Sequence, residues 1–349
     1  MDKVQDLPRA MLKNAGLACP NIWKAVDGER EDFLVRGKLP WDGRCLLPDS
    51  AWYRFASANL RMFDGRSASA ILDNFAALAA WRPSQDIFVI DPDVMEAVMA
   101  TPAGHIPTEV LGHMPFWCVY VPVPEQCRYL LPLYEDVIEG VFLYYGIPDG
   151  PVSVSGKSKF ELRILPIGKE PLFSFAAVPV SVSPELETVQ KALEGTWNTW
   201  ERNNTSAASL KEATILFASQ MVSVLLYIIS EWEREQDKAQ CPVPNMFPQP
   251  VRTRKGWRLF AAQSPHIRVV GENIGRKIRR AAAAVEDREP TTATGRKSPR
   301  PHVRGAHWQL YWTGRRKFKD GETPLPQKAK IIWKAPFGVA LGDDENQEE

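Results

Sequence analysis

The 349-residue sequence is poor in the residues that build metal sites and disulfide frameworks. It has five cysteines, scattered without any CxxC spacing, and five histidines. Disulfide scaffolds and zinc knuckles need paired or closely spaced ligands, so neither organises this chain. Reduced thiols are expected instead, which is typical of a cytoplasmic protein.

The chain also lacks an apolar run long enough to span a bilayer. The N-terminus, MDKVQDLPRAMLKNAG, has no apolar segment of the secretory-signal kind, so no signal peptide is expected. The most apolar stretch, Ile215 to Ser230, has 16 residues and is interrupted by Ser219 and Ser223. A bilayer needs roughly 20. We therefore predict a buried core helix there and no membrane partner.

Motifs of catalysis and nucleotide binding are missing too. The sequence contains no GxGxxG, GxSxG or HExxH. Gly156-Lys157-Ser158 resembles the end of a P-loop, but Pro151 stands where that motif needs glycine and a strand-like segment follows. A nucleophile pair of Cys118 and His113 is conceivable, but the alternation in FWCVYV favours a buried thiol. We assign no catalytic residue, metal ligand or cofactor.

Charge is distributed unevenly along the chain. Val251 to Pro336 carries 21 Lys and Arg against 6 Asp and Glu, whereas Phe337 to Glu349 has five acidic residues and no basic ones. So basic a segment favours RNA or DNA as a partner; the alternative is a face that pairs with the acidic body of the same protein. A proline-rich connector ends at Pro250. We predict an α+β body over 1–245, a basic recognition region over 251–337 and a disordered acidic tail over 338–349.

Hydrophobic periodicity predicts segregated runs of helices and strands. This pattern favours an α+β fold with a mixed or antiparallel sheet and packed helices, one of them long and buried. The first 50 residues contain several Pro and Gly and are expected to form short helices and loops. Helices are predicted at Ala51–Phe63, Ser67–Trp81, Asp93–Met99, Pro184–Glu201, Ser209–Arg234 and Ile274–Val285. Asp91 is expected to cap the third of these helices, with Pro92 in its first turn. The last helix is expected to carry Arg276, Lys277, Arg279 and Arg280 on its exposed side. Strands are predicted at Asp86–Ile90, Phe116–Val121, Ile138–Tyr145, Lys159–Leu165, Leu172–Val182, Ile267–Val270, His302–Thr313 and Ala329–Phe337.

The segment Arg300 to Trp312, RPHVRGAHWQLYW, concentrates aromatic, basic and histidine residues. On one continuous strand, Arg304, Trp308 and Trp312 share a face, which forms an aromatic, cationic strip suited to stacking on bases or gripping a peptide. The alternative is a core strand with its tryptophans packed inward. His302 and His307 fall on opposite faces, which weakens a metal or acid–base role.

Two blocks of the sequence resemble a known family. RPHVRGAHWQLYWTG followed by KIIWKAPFGVALG, and AAWRPSQDIFVIDPDVMEAVMATP followed by MPFWCVYVPV, resemble the second-numbered type V-A anti-CRISPR family. That family acts against the single-protein type V-A effector nuclease of CRISPR systems. The blocks lie in the family's order and at similar spacing.

The resemblance implies an unusual activity. Family members recognise the N-terminal part of the nascent effector and lower its messenger RNA in a translation-dependent way. The implied partners are that peptide and an mRNA or ribosome, in the cytoplasm of a bacterial host. Peptide-binding candidates are Trp81, Arg82, Trp117, Tyr120, Arg304, Trp308 and Trp312. Nucleic-acid-binding candidates are Arg276, Lys277, Arg279, Arg280, Arg296, Lys297, Arg300, His302 and His307.

Two rival functions stay open at this point. One is an RNA- or DNA-binding protein of a mobile element, with no peptide target. The other is a ribonuclease that uses His302 and His307, with Arg304 beside them.

Overall fold

A computed structural model describes most of the chain. The described residues are 2–36, 43–53, 68–128, 130–131, 136–148, 160–169, 175–182, 188–203, 211–239, 247–254, 256–286, 302–313 and 328–339.

The N-terminus forms two helices rather than the predicted short helices and loops. Helix α1 spans Asp2–Ala18 and contains a proline, and helix α2 spans Ile22–Arg36. The buried pairs Met11/Ala15 and Ile22/Val26 each lie four residues apart, so each helix has one apolar stripe toward the core. Tertiary packing of these stripes outweighs the local Pro and Gly content, and the prediction for this segment was wrong.

A six-stranded sheet forms the centre of the protein. From one edge to the other, its strands are β10 His266–Val270, β1 Asp86–Ile90, β2 Cys118–Pro122, β5 Gly140–Gly146, β6 Phe160–Ile167 and β7 Val178–Val182. The pairs β10/β1 and β1/β2 are parallel, whereas β2/β5, β5/β6 and β6/β7 are antiparallel. The prediction of a mixed sheet within an α+β fold is confirmed.

Among the described residues, further helices pack around this sheet: α3 Ala68–Trp81, α4 Pro92–Met99, α5 Val189–Asn203, α6 Lys211–Ala239 and α7 Glu272–Glu286. Helix α4 begins as its sequence predicts, because the Asp91 carboxylate accepts a hydrogen bond from the Asp93 N–H and Pro92 opens the first turn. The predicted helix Ala51–Phe63 lies mostly outside the described residues.

Helix α6 is the long core helix that the sequence predicts. By length and composition alone, Lys211–Glu235 is able to cross a membrane, yet 67% of its most apolar window is buried inside the protein. Met221, Leu225 and Ile229 are fully buried. That degree of burial is typical of a central core helix.

Short strand pairs complete the fold. They are β3 Leu130–Leu131 with β4 Asp136–Val137, β8 Val251–Thr253 with β9 Gly256–Arg258, β11 His302–Arg304 with β14 Phe337–Val339, and β12 His307–Thr313 with β13 Lys328–Lys334. The single strand predicted over His302–Thr313 is wrong, since Gly305 and Ala306 separate β11 from β12 and each pairs with a different strand. The division of the chain at residue 245 stays a prediction; strand β10 on one side of it pairs with β1 on the other.

Candidate functional site

Three of the aromatic side chains proposed to line a peptide groove lie in the core. Trp81, Trp117 and Tyr120 are each 2% exposed or less. The indole N–H of Trp81 donates to the Asp86 carbonyl at 2.9 Å, and that of Trp117 donates to the Gly43 carbonyl at 2.8 Å. Buried rings with satisfied donors are structural, so the two tryptophans do not line an open groove.

Arg82 is also buried and makes its contacts inside the protein. Its guanidinium donates to the Asp27 carboxylate at 2.6 Å and lies 5.6 Å from the Trp23 ring centroid, so it ties α2 to the end of α3. Burial lowers the pKa of Arg82 and raises that of Asp27, and their mutual attraction opposes both shifts. A guanidinium held this way is not presented to a peptide.

The C-terminal tryptophans have different surroundings. Trp308 on β12 is 5% exposed and faces Trp333 across the β12–β13 hairpin. Trp333 in turn contacts Tyr227 of α6 edge-on at 5.4 Å and donates to the Thr101 hydroxyl at 3.2 Å. Trp312, in contrast, is 43% exposed. The inward face of β12 therefore docks the hairpin on α6, and only its far end presents an aromatic ring to solvent.

Several other predicted residues receive no role from the structure. Arg296, Lys297 and Arg300 lie outside the described residues. His302 and Arg304 belong to β11, but the structure does not describe their side chains. His307 is exposed at the start of β12. Within the described part of the chain, no group of three or more His, Cys, Asp and Glu side chains is placed to hold a metal ion.

Helix α7 presents the predicted basic face. Arg276, Lys277, Arg279 and Arg280 are all exposed, while Ile274 and Ile278 pack against the core four residues apart. Arg279 is engaged by two carboxylates: it donates to both oxygens of Asp91 at 3.2 Å and also bonds Asp93. The face is thus basic as predicted, but Arg279 holds α7 against α4.

A cleft that the sequence analysis missed lies at the carboxyl ends of the parallel strands. Its volume is about 480 Å³. Asp91 follows β1, Tyr120 comes from β2, Val269 from β10 and Glu272 from the start of α7. The chain turns from β10 into α7 at Gly271, which has a φ of +87°. Ligands of sheets with parallel strands commonly bind at this position. In the sequence, the cleft is indicated only by two strand-like segments that each end in a turn, DIFVI followed by DP and HIRVV followed by G.

A second, smaller cleft of about 190 Å³ lies along β10. It is lined by Phe88 of β1, by Arg268 of β10 and by Trp232 of α6, among others. The Arg268 guanidinium carbon lies 4.9 Å from the Trp232 ring centroid, and its NH2 nitrogen lies 3.6 Å from the Asp86 carboxylate. Strand β10 thus runs between two clefts at one edge of the sheet, and these clefts with β10 form the candidate recognition edge.

Comparison with solved structures defines the class of protein. The chain matches a structure titled "Crystal structure of AcrVA2" with a TM-score of 0.58 and 16% sequence identity, over 94% of this chain and 97% of that chain. This likeness shows a shared fold. The family model described as AcrVA2-like, anti-CRISPR type V subtype A2 family, matches residues 88–340. The chain therefore belongs to the anti-CRISPR type V subtype A2 family. No curated protein matches it.

Proposed function

We propose that this protein recognises the N-terminal segment of a nascent type V-A CRISPR effector nuclease and lowers the effector's mRNA in a translation-dependent way, in the cytoplasm of a bacterial host. Membership of the anti-CRISPR type V subtype A2 family is the observation that carries the proposal. The matched residues include five strands of the central sheet and the last three residues of β1. They also include every lining residue of the two clefts beside β10 except Leu7.

A transcript experiment separates recognition of the peptide from recognition of the RNA. Cells that produce this protein would carry the effector gene with its native first codons, with synonymous codons, or with a compensated frameshift over the same stretch. The synonymous version keeps the peptide and changes the RNA, and the frameshift does the reverse. We expect the native and synonymous mRNAs to fall and the frameshifted mRNA to persist, as measured by quantitative reverse transcription. Loss of the frameshifted mRNA and survival of the synonymous one contradict the proposal.

RNA binding is a second candidate function, supported by the exposed cations of α7. Neutralised phosphates release counterions, so binding through this face would weaken steeply as salt increases. We expect R276Q/K277Q/R280Q to weaken RNA binding and to lower the slope of log affinity against log salt by about one per lost phosphate contact. Arg279 is left in place because of its bonds to Asp91 and Asp93.

The matched control removes the same charge from exposed positions elsewhere in the chain: K13Q/K169Q/K191Q. If both triple variants weaken binding equally, the effect comes from net charge and α7 is not the RNA-binding face.

A further inference from the structure

Strand β10 has one backbone edge that no described residue pairs. The His266 N–H donates to the Gln85 carbonyl at 3.1 Å, and the Val270 carbonyl accepts from the Asp91 N–H at 3.0 Å, so both residues direct their backbone toward β1. Backbone groups alternate in direction along a strand, so those of Ile267 and Val269 point away from the sheet. Two N–H and two C=O groups thus form a template for one more strand.

The two clefts flank this edge on opposite faces of the sheet. Phe88 and Arg268 are paired in register and line the smaller cleft, whereas Val89 and Val269 are the next pair and line the larger one. Successive side chains of a strand point to opposite faces. A polypeptide added beside β10 would therefore place alternate side chains in the larger and the smaller cleft. Val269, at the shared border, is 39% exposed.

The charge of the clefts selects the occupant. Among the described residues, their linings contain six carboxylates and two guanidinium groups. The carboxylates belong to Asp91, Glu125, Glu139, Glu231, Glu235 and Glu272, and the guanidinium groups to Arg128 and Arg268. Three of these carboxylates already form ion pairs: Asp91 with Arg279, Glu139 with Arg128 and Glu231 with Arg234. The exposed carboxylates of Glu125, Glu235 and Glu272 therefore supply the negative charge that attracts cationic side chains and repels phosphate.

We propose that the edge of β10 accepts an extended, Lys- or Arg-bearing segment of a partner polypeptide by strand addition. The proposal rests on the proposed function, in which this protein recognises a peptide, and it assigns that recognition to β10 and its two clefts in place of Trp81 and Trp117. Main-chain hydrogen bonds to Ile267 and Val269 supply affinity, and the acidic clefts select the side chains.

Val269→Pro tests the backbone contacts. It removes one outward N–H, and an edge strand tolerates this because no described residue pairs with that N–H. Arg268 is already extended, as the residue before a proline must be. Val269→Ala is the matched control, since it shortens the side chain and keeps the N–H. Thermal melts of both variants establish that they fold.

Glu125→Gln with Glu272→Gln tests the charge, and Glu109→Gln with Glu194→Gln is its control, because all four carboxylates are exposed. The probes are a displayed library of random peptides longer than the five residues of β10, and peptides from the effector N-terminus.

The proposal expects selected peptides to be rich in Lys and Arg. They should bind wild type and V269A alike, and V269P about tenfold more weakly, which corresponds to about one lost hydrogen bond. E125Q/E272Q should bind more weakly than E109Q/E194Q. Equal binding by V269P and V269A, or a library that yields no binder, overturns the proposal. A dimer in solution would also overturn the proposal if V269P dissociates it and no peptide competes with it. The edge of β10 would then pair with a second copy of this chain.

The outcome for the proposed function is separate. If effector peptides bind wild type and V269P equally, the proposed function is supported and the β10 site is contradicted. If library peptides need the Val269 N–H but effector peptides fail to bind, the β10 site is supported and the proposed function is contradicted.

Discussion

Two tryptophans on β12 lie in opposite surroundings. Their separate contributions to stability show which face of the strand packs against the core. Trp308 packs in the core beside Trp333, whereas Trp312 is half-exposed at the strand's end. We expect W308A to lower the free energy of unfolding by about 3–5 kcal/mol, the usual cost of deleting a buried large ring. W312A should change it by about 0.5 kcal/mol or less. Urea unfolding measures both. Equal losses in the two variants would show that β12 does not dock through its Trp308 face.

Arg163 is surrounded by more negative charge than it can neutralise. The carboxylates of Asp49, Asp73 and Glu161 all lie within ion-pair distance of its part-buried guanidinium. Arg163 supplies the positive charge that opposes the burial of Asp73 and Glu161, so R163M should cost about 3–5 kcal/mol of unfolding free energy. A stability within about 1 kcal/mol of wild type would show that the cluster relaxes or takes up protons instead.

The same cluster predicts a pH dependence. Burial raises the pKa of Asp73 and of Glu161, although Arg163 opposes both shifts. A carboxyl with a raised folded-state pKa contributes stability that is present below its unfolded pKa and lost as pH rises through its folded pKa. We therefore expect this contribution to decline from about pH 4 toward neutral. E161Q removes one titrating group and should flatten that decline, as measured by urea unfolding at several pH values. An unchanged profile in E161Q would contradict the assignment.

Predictions for single residues were correct where the residue's role depends on neighbours close in sequence. The cap at Asp91 and the exposed cations of α7 depend on neighbours within one or two turns, and the structure has both. The aromatic residues were harder. Trp81 and Trp117 suit a core and a binding surface equally well by residue type, and only tertiary packing distinguishes the two.

At the scale of elements, α7 is fixed to α4 by a close approach. A Cβ added at Gly275 would collide with the Asp91 carboxylate, which also binds Arg279. We expect G275A to push α7 away and to destabilise the fold by at least about 1 kcal/mol. In α2, a Cβ added at Gly28 would meet nothing within 4 Å, so G28A should stabilise by about 0.5–1 kcal/mol. Thermal melts of the two Gly→Ala variants test the contrast, and a stabilised G275A would refute it.

Element prediction followed the strength of the local pattern. Strand β1 occupies its predicted residues, and the main helices differ from prediction mostly at their ends. Helices α1 and α2 were missed because their stripes are narrow and their Pro and Gly content is high. The break between β11 and β12 was missed because HVRGAHW alternates well enough for one strand, and only pairing with two different partners divides it.

At the scale of the whole molecule, the central sheet depends on a pairing that no local pattern reveals. Strands β1 and β10 lie far apart in sequence, yet they pair in parallel over five residues. This pairing brings the basic C-terminal part of the chain to the sheet edge and creates both clefts. The family resemblance was readable from two blocks of sequence, whereas the candidate recognition edge exists only once those blocks are folded together.

The central claim is that this protein recognises a nascent effector through its N-terminal segment. Its most direct test is the affinity of the purified protein for stalled ribosomes that carry this segment, compared with ribosomes that carry the same residues in scrambled order. Specific binding to the effector nascent chain, lost when the chain is released by puromycin, is the predicted result. Equal binding to both nascent chains, or binding to neither, would contradict the account.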